Sequence, residues 1–128
     1  MITNQQHITL DLNGSRSNEI VTAHQYDDKL RVIVATITNN GAPVDESIGA
    51  ESGVFLRIRK SDGTCVERFG LERSPGLVSV LLGSDDLSCV GENQAEFTFK
   101  IKDDDGETRI LTTSSFTIMV QPACTEAI

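Results

Sequence analysis

Three consecutive aspartates ahead of Gly106 and Glu107, in the stretch FKIKDDDGETRILTT (99–113), are the residues of this 128-residue chain whose type and spacing come nearest to a reactive motif. Clustered carboxylates around a glycine are how an EF-hand loop holds calcium, with the glycine at the invariant sixth of twelve positions. Placing Gly106 there puts Asp103 and Asp105 at positions three and five, but position one becomes Ile101 and position twelve becomes Thr112. Neither supplies a carboxylate, and the flanks alternate as strands where an EF-hand needs helices. The same residues suit the tip of a β-hairpin, because Asp-Gly supplies the positive φ that a tight turn requires. RIRKSDGTCVE repeats the pattern at Asp62-Gly63 without an acidic cluster, so the acidity is incidental to the turn.

The other reactive side chains are scattered. His7 and His24 have no neighbouring cysteine and no metal-ligand spacing, so they read as strand-surface residues. Cys65, Cys89 and Cys124 are odd in number and widely spaced, which fits reduced thiols packed as small hydrophobes in a protein that folds in a cytosol. A nucleophilic pair such as Cys65 with His24 would need the fold to bring the two together. Asp27 and Asp28 in QYDDK read as a turn entering a strand. The chain has no phosphate-binding glycine loop, no Trp, and Tyr26 as its one Tyr. That shortage of aromatic platforms weighs against a carbohydrate-binding adhesion module, which stands as an alternative of another class. No catalytic, cofactor-binding or metal-binding residue is assigned, no cofactor is expected, and the chain is expected not to be an enzyme.

The net charge of −8 opposes a nucleic-acid partner, since affinity for phosphate backbones depends on Lys and Arg releasing counterions. Arg57, Arg59 and Lys60 cluster, but Asp62 and Glu67 follow closely, as on a solvated strand face. No apolar run approaches the roughly 18 residues needed to span a bilayer, so no membrane insertion is expected. MITNQQHITLDLNG lacks the basic start and apolar core of a secretion signal.

The elements that must position these residues are read from period-2 alternation. HITLDL sets Ile8, Leu10 and Leu12 on one face. KLRVIVATIT (29–38) is apolar on both faces, with Leu30, Val32 and Val34 opposing Ile33, Ala35 and Ile37, and predicts a central strand covered on both sides. NNGAP ends it. VFLRIRK points Val54, Leu56 and Ile58 inward, and SPGLVSVLL does the same with Val78, Val80 and Leu82. AEFTFKIK alternates most cleanly, with Ala95, Phe97, Phe99 and Ile101 in and Glu96, Thr98, Lys100 and Lys102 out. TRILTTSSFTIMV is long enough to bend or change sheets midway. SDDLSCVG predicts one short helix near 84–90, capped by Ser84 and ended by Gly91. About eight short strands imply an all-β, antiparallel two-sheet sandwich. The expectation is one domain over 1–128, with its core at about 7–122 and a short flexible tail at 123–128.

In order, HITLDLN, AHQYDDKLRVIVATITNNGAPVD, GVFLRIRKSDGTCVE, GLVSVLLGSDDLSCVGENQAEFTFKI and TTSSFTIMVQP resemble the N-terminal domain of phage baseplate upper proteins. That family is an Ig-like β-sandwich of phage tail and fibre proteins, and the resemblance runs from about residue 7 to residue 122. The chain departs from it at Tyr26, where the family often has Gly, and at Ser61, where it often has Pro. Family members commonly continue into a stalk and receptor-binding modules, whereas this sequence stops shortly after Pro122. The resemblance implies a non-enzymatic virion structural protein made in the host bacterial cytoplasm: a baseplate or fibre-base adaptor. It would dock to other phage structural proteins through sandwich edges and loops, including 39–53 and the N-terminal segment, and form a homo-oligomer in the particle. A head-fibre or capsid-decoration protein is the alternative within that class.

Overall fold

The computed structural model describes residues 3–44, 53–69, 72–102 and 105–123. Alternating side chains define two stacked sheets. Sheet A contains β1 (Asn4–Asp11), β3 (Arg31–Asn39), β8 (Leu77–Leu82) and β7 (Glu72–Ser74) in that order, with the two-residue β4 (Ala42–Pro43) paired to β3. Sheet B contains β2 (Arg16–His24), β11 (Ser115–Gln121), β9 (Gly91–Lys102), β5 (Val54–Arg59) and β6 (Cys65–Arg68), with β10 (Thr108–Thr112) also on β9.

The inward sets meet between the sheets. Sheet A contributes Ile8, Leu10, Ile33, Ala35, Ile37, Val78, Val80 and Leu82; sheet B answers with Val54, Leu56, Ile58, Phe97, Phe99, Phe116 and Ile118 among others. Phe97 and Phe116 stack with ring centroids 5.8 Å apart. Burying each large side chain stabilises the fold by about 1.5–3 kcal/mol, which is what holds the two layers face to face. The inward residues of β1, β3, β5, β8 and β9 match the alternation read from sequence; the Ile101 side chain lies outside the described residues.

The sandwich is present, and its details correct four expectations. Among the described residues it has eleven strands rather than about eight, partly because β2 went unread. Two pairs, β1 with β3 and β2 with β11, run parallel. The chain passes from sheet A to sheet B and back, so β1 and β3 point the same way when they meet. The helix near 84–90 is absent: Asp86 N–H donates to Gly83 O at 3.0 Å and Leu87 N–H to Ser84 O at 3.2 Å, forming successive turns. The Asp86 carboxylate accepts the Gly83 N–H at 2.7 Å and pairs with Arg68, so a side chain takes the role a helical ladder would have. Finally, β3 is central but covered on one face only, with Val32 and Val34 half-buried on the other.

Turn chemistry sets the ends of the strands. Asn40 and Gly41, at φ 53° and 81°, form the two-residue loop between β3 and β4, the geometry that favours Asn-Gly. Asp11 clamps that loop, accepting from Gly41 N–H at 2.9 Å, Thr38 Oγ1 at 2.7 Å and Asn13 N–H at 2.8 Å. Those donors, the Gly41 N–H foremost, hold its carboxyl down at about 2. At the 60–64 hairpin Gly63 N–H donates to Lys60 O and Lys60 N–H to Thr64 O, and Gly63 alone has positive φ, at 89°. The loop is therefore a type I turn closed by a glycine bulge, with the Asp62 carboxylate accepting from Thr64 N–H and Oγ1.

The acidic hairpin is confirmed by the Lys102–Thr108 pairing and by Gly106 at φ 82°; Asp103 and Asp104 lie outside the described residues. The long last segment bends without changing sheets. β10 and β11 both pair with β9, but their registers differ by one residue. The extra residue is absorbed at Thr113–Ser114, where Phe97 N–H donates to Thr113 Oγ1, as at a β-bulge.

Candidate docking surfaces

The residues that could have done chemistry are kept apart or put to structural work. His24 ends β2 and Cys65 begins β6, on opposite edges of sheet B. Four strand spacings separate those edges, roughly 19 Å. Among the described residues no group of three or more His, Cys, Asp or Glu is placed to hold a metal ion. Cys65 is exposed, Cys89 is half-buried, and Cys124 lies outside the described residues. Asp27 accepts from His24 N–H at 2.9 Å and pairs with Arg31 at 2.8 Å, while Asp28 accepts the Ser84 N–H at 2.9 Å. At Asp27 burial pushes the pKa up, but the His24 and Arg31 donors outweigh it and the net shift is downward. The adjacent carboxylates are loop anchors.

Two polar constellations went unnoticed in the sequence. Asn93 is buried and uses its whole carboxamide: Nδ2 donates to Cys89 O, Gly91 O and Ile118 O, and Oδ1 accepts the Ser61 N–H at 2.8 Å. Asp86, 3% exposed, pairs with Arg68 across the sheets, β6 belonging to sheet B and Asp86 to the turn that follows β8 of sheet A. Their partners lie 18 or more residues away in the Arg68 and Ser61 cases, so no local pattern announces them.

The surfaces that remain are edges, ends and outer faces. On the β1/β2 flank the Gln6 carboxamide stands in for a strand: its Nε2 donates to Thr22 O and its Oε1 accepts the Thr22 N–H. Glu19 likewise accepts the Thr9 N–H at 2.6 Å. These bonds occupy backbone groups that an added strand would need.

The outer face of sheet B carries Arg57, Arg59, Glu67, Glu96 and Lys100. Arg57 pairs with Glu67 at 3.3 Å and with Glu96 at 3.9 Å. An open groove of about 300 Å³ runs beside Arg57, Arg59, Cys65, Gln94, Glu96 and Ser115. Phe55 also points outward here yet is only 2% exposed. The Phe69 ring lies 5.2 Å from it, and the cations of Lys100 and Arg57 sit 5.3 and 5.5 Å from its centroid.

The outer face of sheet A is different. Its cross-strand rows read Gln5–Val32–Leu81, His7–Val34–Ser79 and Thr9–Thr36–Leu77. No Asp, Glu, Lys or Arg occurs in these nine positions, but Glu72 of β7 pairs with Ser79 at the end of the middle row and Asp11 pairs with Thr38 in the row beyond; Leu81 and Leu77 are 46% and 40% exposed.

Residues 4–128 match the sequence profile of the BppU N-terminal domain. The chain belongs to this family. BppU N-terminal domains are baseplate structural domains of phages, so the chain is of a virion structural class whose members associate with other phage structural proteins. Among solved structures, the N-terminal domain of phage TP901-1 ORF48 has the same fold, with a TM-score of 0.69 at 23% identity over 93% of this chain and 99% of that one. No curated protein sequence matches the chain.

Tyr26, where the sequence resemblance leads one to expect glycine, has an unusual backbone. It holds φ 71°, a left-handed conformation that glycine adopts freely and a tyrosine does not. The surrounding loop enforces it. Gln25 N–H donates to Gln121 O, Gln25 Nε2 to Ser88 O, and Gln25 Oε1 accepts the Ala123 N–H. Lys29, three residues on, is also left-handed at φ 62°. The loop thus presents a half-exposed aromatic ring from a fixed backbone. Ser61, at the other departure, donates its hydroxyl to Val90 O and its N–H to Asn93, a bond that a proline there could not make. Of the expected 39–53 interface, residues 45–52 lie outside the described residues.

Proposed function

We propose that this chain is a non-enzymatic adaptor at a phage baseplate or fibre base, docking to neighbouring virion proteins through sandwich faces, edges and loops. The observation that carries the reading is the family match over residues 4–128. Its supports are physical. The histidines, thiols and carboxylates are separated or spent on turns, and the outer face of sheet A displays the exposed leucines Leu77 and Leu81 beside Val32 and Val34 on a chain of net charge −8. In this reading the chain is one folding unit spanning 1–128, made in the host cytoplasm and carried in the virion, with no nucleic-acid partner and no cofactor. Exposed aromatics such as Tyr26 and Phe69 are not set side by side in sequence or on one strand, which disfavours a glycan platform. The test is to separate the proteins of purified particles by gel and mass spectrometry. Recovery of the chain from intact virions, with its density at the tail in cryo-EM maps, is the expected result. Its absence from virions overturns the reading, and density at the head replaces the adaptor role with capsid decoration.

A further inference from the structure

Two Asn-Gly steps occur in the chain, Asn13-Gly14 in the turn between β1 and β2 and Asn40-Gly41 in the loop between β3 and β4, and Asp11 stands between them. An asparagine followed by glycine is chemically labile, because no β-carbon on the next residue hinders its backbone nitrogen from reaching the side-chain amide. All four residues are exposed, so water reaches both steps alike. What differs is the surroundings of the two glycine nitrogens. We infer that Asn13 is a site of self-modification, its side-chain amide converted to a carboxylate through attack by the Gly14 nitrogen, while the fold protects Asn40 from the same reaction.

The protection at Asn40 comes from Asp11 and from the turn. Gly41 N–H, the group that must lose its proton before it can attack, donates to Asp11 Oδ1 at 2.9 Å. The Asp11 carboxyl is held at about 2, so it stays ionised through the neutral and alkaline range in which an amide nitrogen begins to react. A fixed negative charge against that nitrogen opposes the negative charge of deprotonation. Asn40 and Gly41 are also set at φ 53° and 81° by the two-residue hairpin, which has to be unmade before the nitrogen can reach the side chain.

At Asn13 neither restraint applies. Among the described residues the Gly14 N–H meets no acceptor. Asp11 Oδ2 accepts the Asn13 N–H at 2.8 Å, but that is the amide before the side chain, not the one after it. Asn13 Nδ2 donates to Asn39 Oδ1 at 2.8 Å, a bond that engages the leaving nitrogen and not the attacking one. Nor does the backbone demand a glycine at position 14. Its φ lies outside the left-handed region, and a β-carbon there would lie 3.5 Å from Ser114 Cβ, an ordinary contact. Gly41, by contrast, needs its positive φ, and a β-carbon at Gly83 would come within 2.9 Å of the Arg68 guanidinium. What glycine supplies at position 14 is an unhindered nitrogen.

The reaction balances with water as its sole co-reactant. Gly14 N gives its proton to hydroxide and bonds to Asn13 Cγ; the Cγ–Nδ2 bond breaks, and ammonia leaves with a proton from water, closing a five-membered succinimide. Water then adds to one of the two imide carbonyls and the C–N bond there breaks. Opening at Cγ leaves aspartate, and opening at the backbone carbonyl leaves isoaspartate, with the chain rerouted through the side chain. Either product loses the donor to Asn39 Oδ1 and sets a second carboxylate beside Asp11, at the end of β1 where Leu12 N–H donates to Thr38 O. Under the adaptor reading the adjoining β3–β4 loop lies in a docking region, so a converted copy presents that end differently. The chemistry does not depend on that reading, and the two can fail separately.

Incubation of the purified, folded chain at mildly alkaline pH, followed by tryptic digestion and mass spectrometry, tests it. Cleavage after Arg16, Arg31 and Arg57 puts Asn13 and Asn40 in separate peptides, and oxygen in place of NH marks conversion by mass. The same chain unfolded in guanidinium chloride supplies the unprotected rates. In the folded chain Asn13 is expected to keep most of its unfolded rate, and Asn40 to be slowed about tenfold or more, the rate equivalent of one charge-assisted hydrogen bond. Asp11→Asn and Asp11→Ala, each checked for folding by circular dichroism, should both raise conversion at Asn40. Gly14→Ala should not destabilise the fold and should slow conversion at Asn13 by about tenfold or more, because a β-carbon now crowds the nucleophile. Asn13 slowed by folding as much as Asn40, or Asn40 converting ahead of Asn13, overturns the inference. Conversion at Asn13 that ignores Gly14→Ala removes the Gly14 nitrogen as the nucleophile and overturns it too. An unchanged rate at Asn40 in folded Asp11 variants overturns the protection assigned to that carboxylate.

Discussion

Phe55 and Val34 both stand in mid-strand with side chains turned away from the core, one on each sheet. Around Phe55 the chain has built a cover from its own residues: the Phe69 ring on one side and the cations of Arg57 and Lys100 near its faces. Around Val34 there are the half-buried Val32, the exposed Leu77 and Leu81, and a rim of polar residues with Glu72 and Asp11 at the edge strands. The first arrangement spends outward hydrophobic area on monomer stability. The second leaves that area available, because apolar surface removed from water by a partner stabilises the complex instead of the fold. Charge is distributed differently on the two faces: ion pairs lie across the middle of sheet B, whereas on sheet A Glu72 and Asp11 lie on the edge strands and the nine central positions carry no Asp, Glu, Lys or Arg.

The largest expected effect tests the premise that the two faces belong to a fixed pair of sheets. Asp86→Ala removes the buried carboxylate that ties Arg68 of sheet B to the turn after β8 and accepts the Gly83 N–H. Arg68 is about a third exposed and can be solvated, so the cost is mainly that of the Gly83 N–H left without its acceptor and the lost tie between sheets, about 3 kcal/mol. Urea unfolding followed by circular dichroism reads it directly; a loss under 1 kcal/mol would mean that the sheets are held by the core alone.

Next is Phe55→Ala, expected to destabilise by about 3 kcal/mol in the same measurement, the range for a buried aromatic. A cost near that of an exposed side chain would show that the Phe69 cover is not formed in solution and would erase the contrast between the faces.

These two positions also mark how far the sequence could be read. Alternation located β1, β3, β5, β8 and β9 with their inward residues: β3, β5, β8 and β9 each bury three apolar side chains on one face, and β1 buries Ile8 and Leu10 with Leu12 packed just beyond its end. β2 escaped because, of its nine residues, Val21 and Ala23 are the buried pair, and Ile20 points to solvent. Ser84, Asp85 and Asp86 signal a helix start and a turn equally well; Arg68, 18 residues earlier, makes the difference. Phe55 was legible only as an outward residue, because Phe69 reaches it from beyond the end of β6. For β3 the reading was right about composition and wrong about occupancy. Two apolar faces were visible in 29–38, but sequence periodicity reports that a face wants cover without saying whether the cover comes from the same chain.

A smaller effect, with the opposite sign, is expected at the end loops. Tyr26→Gly removes the left-handed strain of a non-glycine residue at φ 71°, partly offset by the added freedom of glycine in the unfolded chain. The net is a gain of about 1 kcal/mol or slightly less. Thermal or urea unfolding reads it; a loss of stability would mean that contacts of the half-exposed Tyr26 ring outweigh the strain.

The smallest effect is the most discriminating. Leu81→Ser on sheet A changes an outward residue as Phe55→Ala does, but one that is 46% exposed. The loss in urea unfolding should be below about 1 kcal/mol, since much of the side chain already meets water, against about 3 kcal/mol for Phe55→Ala, whose cover is internal. A Leu81→Ser cost near about 3 kcal/mol would mean that the leucine is covered within the chain, and the two faces would then differ only in charge.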